Sequence, residues 1–404
     1  MRNIVYCGLS VLCFSVIACS NPAEPGADMR PLSSLEKTVV DAAGDFGVDL
    51  FQEIVRQEPP NTNLFISPLS VSYALGMTLN GAAGSTWDGI AQTLRLQGLS
   101  QEQINESYLS LMQLLTSMDP KVTFEIANSI WYRQGWTFRD VFLNSTRNYF
   151  DAEVTALDFS GPDALGIING WVDDKTYGRI PEIIDQISPQ TVMFLINALY
   201  FKGKWLYEFD PDDTRTETFT KSDGSTVSCQ MMLQYGDLEY VSTSGFQSVN
   251  LPYGDGGFSM AVILPNHDNT VATLVADLDN VLAQVQIADF NPREMELGLP
   301  KFTLEYELTM NDVLKAMGMD IAFTNMADFT GMYEPGGLYI SEVKHKTFVK
   351  VDEEGTEAAA VTSVEIREVS MPPMILVNRP FLFVIRETQS DGIIFIGKVE
   401  EPGE

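Results

Sequence analysis

The sequence predicts an α+β fold, because helical periodicity dominates the first third of the chain and strand-like runs dominate the remainder. The chain has 404 residues, of which 45% are apolar, so it can bury a sizeable core. The sequence contains no internal repeat. Length by itself would favour two domains, because single cores usually stop growing near about 250–300 residues.

Two helices are predicted at the start of the folded region. The first has apolar residues at spacings of three or four: Val39, Val40, Ala43, Phe46, Leu50, Phe51, Ile54 and Val55. The second begins at Ser67-Pro68, since serine caps helices well and proline is tolerated in the first turn. It ends near the breaker Gly81-Ala82-Ala83-Gly84.

Strand-like runs follow these helices. They cover residues 124–132, 192–201, 258–264 and 296–306. The C-terminus predicts a buried hairpin, with strands at 375–385 and 392–399 joined by a turn at Ser390-Asp391-Gly392. Helices therefore precede strands, which distinguishes this order from alternating βαβ units.

The formal net charge of −30 argues against nucleic-acid binding, which depends on clustered Lys and Arg. A negative field of this size would speed the encounter with a basic partner. The alternative is that the charge serves solubility in a salty medium, and the composition does not distinguish the two.

The N-terminus carries a targeting signal. Arg2 precedes an apolar run from residue 4 to residue 18 that is too short to span a bilayer. The run ends in Val16-Ile17-Ala18-Cys19, which resembles the bacterial lipobox. We therefore expect a lipoprotein signal peptide at 1–18, a lipid on the Cys19 sulfur, a flexible tether over 19–34 and a folded domain over 35–404.

This signal predicts a protein held at the cell envelope, in an outer membrane if the cell has one, with its domain facing the exterior or the periplasm. The alternative is an ordinary secretory signal that contains an incidental cysteine. Cys7 and Cys13 lie within the signal, so Cys229 is the remaining thiol of the mature domain and no disulfide is expected. Cys229 is interpreted as a small buried residue.

Enzymatic motifs are missing from the sequence. It contains no Gly-x-Ser-x-Gly, no Cys-x-x-Cys and no His-Glu-x-x-His, and its two histidines are His267 and His345. We therefore expect neither an enzyme nor a metal or cofactor site.

The most informative segment is 353–373, which starts acidic, continues with small residues, becomes β-type and stops at Pro372-Pro373. Gly355 suits a pivot because glycine adopts backbone angles closed to other residues. After it, one strand face would carry Thr356, Ala358, Ala360 and Thr362, and the other Glu357, Ala359, Val361 and Ser363. The first face is small enough to enter a packed interior. The alternative is a solvated loop between two strands.

Several motifs together resemble the serpins, a family of serine protease inhibitors. They are Asn63-Leu64-Phe65-Ile66-Ser67-Pro68-Leu69-Ser70, Ala127-Asn128-Ser129-Ile130-Trp131, Asn197-Ala198-Leu199-Tyr200-Phe201-Lys202-Gly203-Lys204-Trp205, Ile340-Ser341-Glu342-Val343-Lys344-His345-Lys346 and Asn378-Arg379-Pro380-Phe381-Leu382-Phe383. The resemblance covers essentially the whole mature chain. It implies one domain with three β-sheets, about nine helices and an exposed reactive-centre loop at about 353–373.

The resemblance also implies suicide inhibition of a serine protease. With residues counted along the loop as in the family, the resemblance implies a reactive bond at Val369–Ser370, and the small aliphatic Val369 favours an elastase-like target. The implied hinge, which would enter the main sheet after cleavage, consists of Glu354, Gly355, Thr356, Glu357, Ala358, Ala359, Ala360, Val361 and Thr362. The alternative is a non-inhibitory serpin that acts as a chaperone, carrier or decoy substrate. Such members tend to carry proline or charge on the inserting face, and this hinge has neither.

A buried polar cluster that bridges the central strands of the main sheet is also implied, at Ser67, Ser70, Asn197 and His345. Taken alone, His345 is more typical of a satisfied core histidine, and the four residues together favour the cluster. The acidity argues against the polyanion-binding helix that some serpins use. We expect a monomer whose partners are a serine protease and, through the lipid anchor, a membrane.

Overall fold

The computed structural model describes residues 30–356 and 373–403. Within these ranges it has nine α-helices: α1 Ser34–Gln57, α2 Pro68–Leu79, α3 Gly84–Thr93, α4 Gln101–Ser117, α5 Asp140–Phe150, α6 Ala164–Lys175, α7 Val271–Ala276, α8 Leu278–Ala283 and α9 Asn311–Leu314. Six of the nine precede residue 176, as the predicted order of helices before strands requires. The α+β class is therefore confirmed.

The same ranges contain fifteen strands. They are β1 Leu64–Ile66, β2 Val122–Arg133, β3 Glu153–Leu157, β4 Met193–Lys204, β5 Arg215–Thr220, β6 Thr226–Ser242, β7 Phe246–Tyr253, β8 Phe258–Pro265, β9 Asn291–Pro300, β10 Phe302–Thr309, β11 Lys344–Asp352, β12 Gly355–Thr356, β13 Met374–Leu376, β14 Phe381–Glu387 and β15 Ile393–Val399. One sheet has six strands in the order β10-β11-β12-β4-β2-β3.

The other strands form a nine-stranded sheet in the order β1-β15-β14-β8-β7-β6-β9-β13, with β5 added on β6. The 17-residue strand β6 pairs first with β5, then with β9 and finally with β7. The long β6 thus joins the second and third of the three expected sheets into one hydrogen-bonded system. The predicted three-sheet fold is present, with two of its sheets continuous.

Helix α2 lies between the two sheets. It contacts β4 of the six-stranded sheet and β15 of the other. Nearly every residue of α2 is buried, which is typical of a helix that is apolar on all sides and enclosed by a core. Ser67 caps its first turn by accepting a hydrogen bond from the Ser70 N–H, so the predicted start is correct.

Two predicted strands are each divided in the structure. Residues 296–306 belong to β9 and β10, which lie in different sheets on either side of Lys301. Residues 375–385 belong to β13 and β14, separated at 377–380. Pro380 lies in this interruption, where its missing N–H costs no ladder bond. Apolar periodicity does not reveal such changes of sheet, because the inward-facing residues continue across them.

The first helix begins earlier than its apolar pattern indicates, because Ser33 and Glu36 form a reciprocal capping box. The expected tether of 19–34 is described only from Arg30 onward, and this part packs on the domain. The Arg30 guanidinium pairs with the Glu36 carboxylate and contacts Ser110 of α4, while Leu32 is buried. Among the residues described, none of the helices has the length and apolar character needed to cross a bilayer.

Candidate functional site

The predicted hinge begins inside the six-stranded sheet. After β11 the chain reverses through Glu353-Glu354 and returns as β12, which lies between β11 and β4. Thr356 is opposite Val351 of β11 and Gly203 of β4. The first two residues of the returning segment therefore already occupy a strand position within the sheet.

Gly355 fits this reversal because it has no side chain. Its φ is 146°, a value that L side chains rarely adopt, and a Cβ atom there would lie 2.2 Å from the Gly203 carbonyl oxygen. The backbone of β12 can approach β4 this closely only with glycine at 355. The predicted pivot residue thus stands where the chain turns into the sheet.

Thr356 is 3% exposed. Its Oγ1 lies 2.9 Å from the Tyr253 hydroxyl, and the Tyr253 ring stacks on Trp205 with centroids 4.4 Å apart. Burial raises the pKa of Tyr253, so this hydroxyl stays neutral. The first hinge side chain after the pivot is therefore held by a neutral hydrogen bond in an aromatic pocket.

The segment after β4 holds the turn before the hinge with hydrogen bonds to three backbone carbonyls. The Trp205 N–H donates to the Glu354 carbonyl at 2.8 Å, and the Trp205 indole Nε1–H donates to the Asp352 carbonyl at 3.0 Å. The Phe209 N–H donates to the Glu353 carbonyl at 2.8 Å. These bonds fix the turn that carries the chain from β11 into β12.

Two carboxylates of this turn are buried and differ in their charge environment. Burial works to raise the pKa of Glu353, but hydrogen bonds from Lys301 at 2.7 Å and from Thr214 at 2.8 Å leave that pKa lowered. Burial raises the pKa of Glu354, which Lys204, 3.9 Å away, only partly offsets. The turn therefore has one firmly paired carboxylate and one weakly paired neighbour.

Next to Thr356 a small cleft of about 10 Å³ lies between the two strands that flank the hinge. Its walls are Leu199, Tyr200 and Phe201 of β4, Phe348, Val349 and Lys350 of β11, and Thr176, Arg179 and Ile180 after α6. In the described part of the chain, β4 and β11 share no ladder register with each other. An extended segment that continues from Thr356 would point into this cleft.

Lower in the sheet, the four polar residues predicted as a cluster lie together. The Ser67 N–H donates to His345 Nε2 at 3.1 Å, and the Ser67 hydroxyl donates to the Ile394 carbonyl at 2.8 Å. The Ser70 hydroxyl donates to Asn197 Oδ1. Helix α2 is thereby connected to β4, β11 and β15 by hydrogen bonds that can be exchanged.

Asn128 of β2 extends this cluster, although sequence reasoning did not include it. Its Oδ1 accepts from Asn197 Nδ2 at 2.7 Å, and its Nδ2 donates to the Phe150 carbonyl at 2.7 Å. The available signal was a polar amide in a strand motif that also contains Ala127, Ile130 and Trp131. Its partner on β4 became apparent only from the register, which places Asn128 directly opposite Asn197.

His345 is 5% exposed, and burial lowers its pKa to about 4. Its Nε2 accepts the Ser67 N–H, so the imidazole is neutral at physiological pH. Protonation of His345 Nε2 would place its N–H against the Ser67 N–H, so two donors would face each other.

Several predicted site residues lie outside the described residues: Cys19, the hinge residues Glu357, Ala358, Ala359, Ala360, Val361 and Thr362, and the reactive bond Val369–Ser370. Cys229 is buried, as interpreted from its sequence context, and burial raises the pKa of its thiol. A raised thiol pKa disfavours the nucleophilic thiolate.

Comparison with known proteins gives consistent matches over nearly the whole chain. The family described as Serpin (serine protease inhibitor) matches residues 41–402. Human neuroserpin is 32% identical over 375 residues, covering 90% of this chain and 91% of that protein.

Two solved structures align with this fold at similar quality. The thermophilic serpin Tengpin in its native state aligns with a TM-score of 0.81 and 32% identity, over 93% of this chain and 96% of that chain. Human thyroxine-binding globulin aligns with a TM-score of 0.82 and 27% identity, over 92% and 100% of the two chains.

Proposed function

Since the chain belongs to the serpin family, many of whose members inhibit serine proteases, we propose that it is a suicide inhibitor of a serine protease. In this proposal the protease attacks the Val369 carbonyl and forms an acyl-enzyme. The cleaved loop then enters the six-stranded sheet as a full strand and displaces the protease before deacylation.

The observation that carries this proposal is the position of β12 between β11 and β4. Gly355 and Thr356 begin the strand that insertion would complete, and the cleft next to Thr356 lies on the path of the following residues. Continuation would add ladder hydrogen bonds to both neighbours and bury a face of small side chains. The added hydrogen bonds and the burial of small side chains both favour the inserted state over an exposed loop.

The hinge composition supports inhibition over the alternative function. Thr356, Ala358, Ala360 and Thr362 would face the sheet interior, and none of them is charged or a proline. The alternative is a non-inhibitory serpin that acts as a chaperone, carrier or decoy substrate. Thyroxine-binding globulin, to which this chain is similar, is by its name a binding protein, so the experiment must distinguish the two functions.

We assign an elastase-like specificity to the target, because a small β-branched Val369 suits a small aliphatic pocket. Arg367 could attract trypsin-like enzymes, but cleavage there would come two residues earlier and shorten the inserting segment. Mass spectrometry of the C-terminal peptide released by a protease panel identifies the bond that is cut.

The decisive experiment compares the intact and the cleaved protein. Insertion predicts an SDS-stable complex with an elastase-like protease and a sharp rise in Tm after the loop is nicked. A nicked protein with an unchanged or lower Tm would exclude insertion and favour the non-inhibitory alternative.

We also propose that a lipid on Cys19 anchors the protein to the cell envelope. The signal motif supports this proposal, and the eleven steps from Cys19 to Arg30 would let the domain move about 40 Å from the membrane at most. Fractionation of wild type and Cys19→Ala tests it. A variant that stays as membrane-bound as wild type would refute the lipoprotein assignment.

A further inference from the structure

The chain passes from β11 into β12 through three consecutive buried carboxylates: Asp352, Glu353 and Glu354. Each carboxylate lies within 4 Å of a lysine ammonium. In the same order, these are Lys350 at 3.0 Å, Lys301 at 2.7 Å and Lys204 at 3.9 Å. The last distance is too long for a hydrogen bond, so Glu354 has the weakest cationic partner of the three.

The Glu354 carboxylate is poorly satisfied where it lies. Glu354 is 9% exposed, and its buried Oε2 has no hydrogen-bond partner among the described residues. The Lys204 ammonium also lies 3.5 Å from Glu208 Oε1, so a second carboxylate competes for it. A buried carboxylate that lacks hydrogen bonds is costly when it is charged, and most of this cost disappears when it takes up a proton.

The charges around Glu354 come from two segments. Asp352 and Glu353 face it from its own turn, and Lys204 and Glu208 face it from the end of β4 and the residues that follow. Burial raises the pKa of Glu354, Lys204 works in the opposite direction, and the three neighbouring carboxylates raise it further. The neutral form of Glu354 is therefore favoured while the turn is folded as described.

The backbone of Glu354 connects this carboxylate to the hinge. Its carbonyl accepts the Trp205 N–H at 2.8 Å, and its own N–H donates to Asp352 Oδ1 at 3.2 Å. Gly355 follows directly and pairs with β4. A hinge that left the sheet would break the bond from Trp205 and return the Glu354 carboxylate to water. The charge on this carboxylate and the position of the hinge are thus thermodynamically coupled.

From this geometry we propose that Glu354 is a proton-controlled switch: its neutral form holds Gly355 and Thr356 in the sheet, and its charged form favours their release. The consequence for inhibition rests on the proposed function. Because insertion would continue from Thr356, a hinge already held in the sheet gives the cleaved loop a faster start. A mildly acidic medium then increases the share of proteases that are trapped rather than released.

Acid strengthens the hinge because the pKa of Glu354 is raised while the hinge lies in the sheet. The share of molecules with the hinge in the sheet rises as the pH falls through this pKa. The gain is complete below the ordinary glutamate value of about 4.3. His345 has the opposite effect on global stability, since its pKa is lowered, so the readout must be local to the turn.

Hydrogen exchange followed by mass spectrometry gives such a readout. The Trp205 and Phe209 amides donate to the Glu354 and Glu353 carbonyls, so their protection reports how often the turn opens. Exchange is measured from pH 7.5 to pH 5 and corrected for the intrinsic pH dependence of amide exchange. Wild type is compared with Glu354→Gln and with the matched control Glu353→Gln, which removes the same charge one residue earlier.

At pH 7.5 we expect Glu354→Gln to protect these amides roughly three- to tenfold more than wild type, because glutamine is always neutral. Wild type should approach the variant as the pH falls to 5. Glu353→Gln should protect them less than wild type, because it removes the ion pair with Lys301. Glu208→Gln should move the wild-type transition to lower pH, because it leaves Lys204 to Glu354. The titration of His345 is common to all these proteins and cancels in the comparison.

Two exchange results would overturn the switch. Equal or weaker protection in Glu354→Gln at pH 7.5 would mean that the charged carboxylate stabilises the turn through Lys204. An unchanged pH dependence in Glu354→Gln would mean that another group titrates.

The consequence for inhibition is tested with an elastase-like protease at pH 7.5 and pH 6. In wild type, the number of chains consumed for each protease trapped should fall roughly twofold towards pH 6, and in Glu354→Gln it should stay constant. A ratio that does not change with pH in wild type would refute the effect on trapping. If no protease is trapped at either pH, the inhibitory function is refuted, while the exchange data still decide whether Glu354 controls the hinge.

Discussion

The neutral, buried His345 predicts a specific dependence of stability on pH. Its pKa is about 4 in the folded protein, against about 6.5 for an exposed histidine. The unfolded chain therefore takes up the proton more readily. The contribution of His345 is complete above pH 6.5 and is lost progressively as the pH falls through 4.

The magnitude follows from the two pKa values. At pH 5 the unfolded histidine is almost fully protonated and the folded one almost fully neutral, so the loss of stability is about 2 kcal/mol. Full protonation at lower pH would raise the loss to about 3 kcal/mol. The cause is burial, which penalises the charged imidazolium. In addition, a proton on Nε2 would face the Ser67 N–H that now donates to this atom.

The assay is urea unfolding from pH 7.5 to pH 5, followed by tryptophan fluorescence, for wild type and His345→Gln. The glutamine keeps an acceptor for the Ser67 N–H but does not titrate. Carboxylates are common to both proteins, so their pH dependence cancels in the difference. We expect the difference in unfolding free energy to change by about 2 kcal/mol over this range. Parallel pH curves for the two proteins would refute a neutral, desolvated His345.

Three further changes test the hinge. Thr356→Arg would bury a guanidinium without a partner, at a cost of several kcal/mol, so SDS gels should show cleaved chain in place of complex. Thr356→Ser keeps the hydroxyl and should still form the complex. Gly355→Ala should destabilise the fold by at least about 1–3 kcal/mol in urea because of its φ, whereas Gly44→Ala in the open face of α1 should not. Lys301→Met should destabilise the protein at pH 7 and less at pH 4, because the lowered pKa of Glu353 gives stability that is lost as pH falls. An equal loss at both pH values would mean that the ion pair has no role.

The elements that the sequence predicts well are those encoded by local patterns. Periodicity identified the first helix, and the Ser67-Pro68 pair identified the start of α2. The last strand, predicted at 392–399, lies at Ile393–Val399. In each case the pattern reflects burial of one face or capping of one end, which neighbouring residues determine.

Long-range partners were not predictable in the same way. Glu353 and Glu354 read as the acidic start of a loop, yet both are buried because Lys301, Thr214 and the backbone after β4 surround them. The role of Asn128 in the polar cluster depended on the register between β2 and β4. Pairing between strands that are distant in the chain is decided by tertiary packing, which a single sequence pattern does not encode.

The sequence by itself determined the α+β class and the pivot glycine, because both depend on the size, polarity and backbone freedom of local residues. The small-residue face that continues from Thr356 stays a prediction. Only the tertiary structure decided that the hinge enters the sheet at Gly355–Thr356, and that Tyr253 and Trp205 receive it. These features join residues distant in the chain, and their contacts exist only once strand register and sheet packing are set.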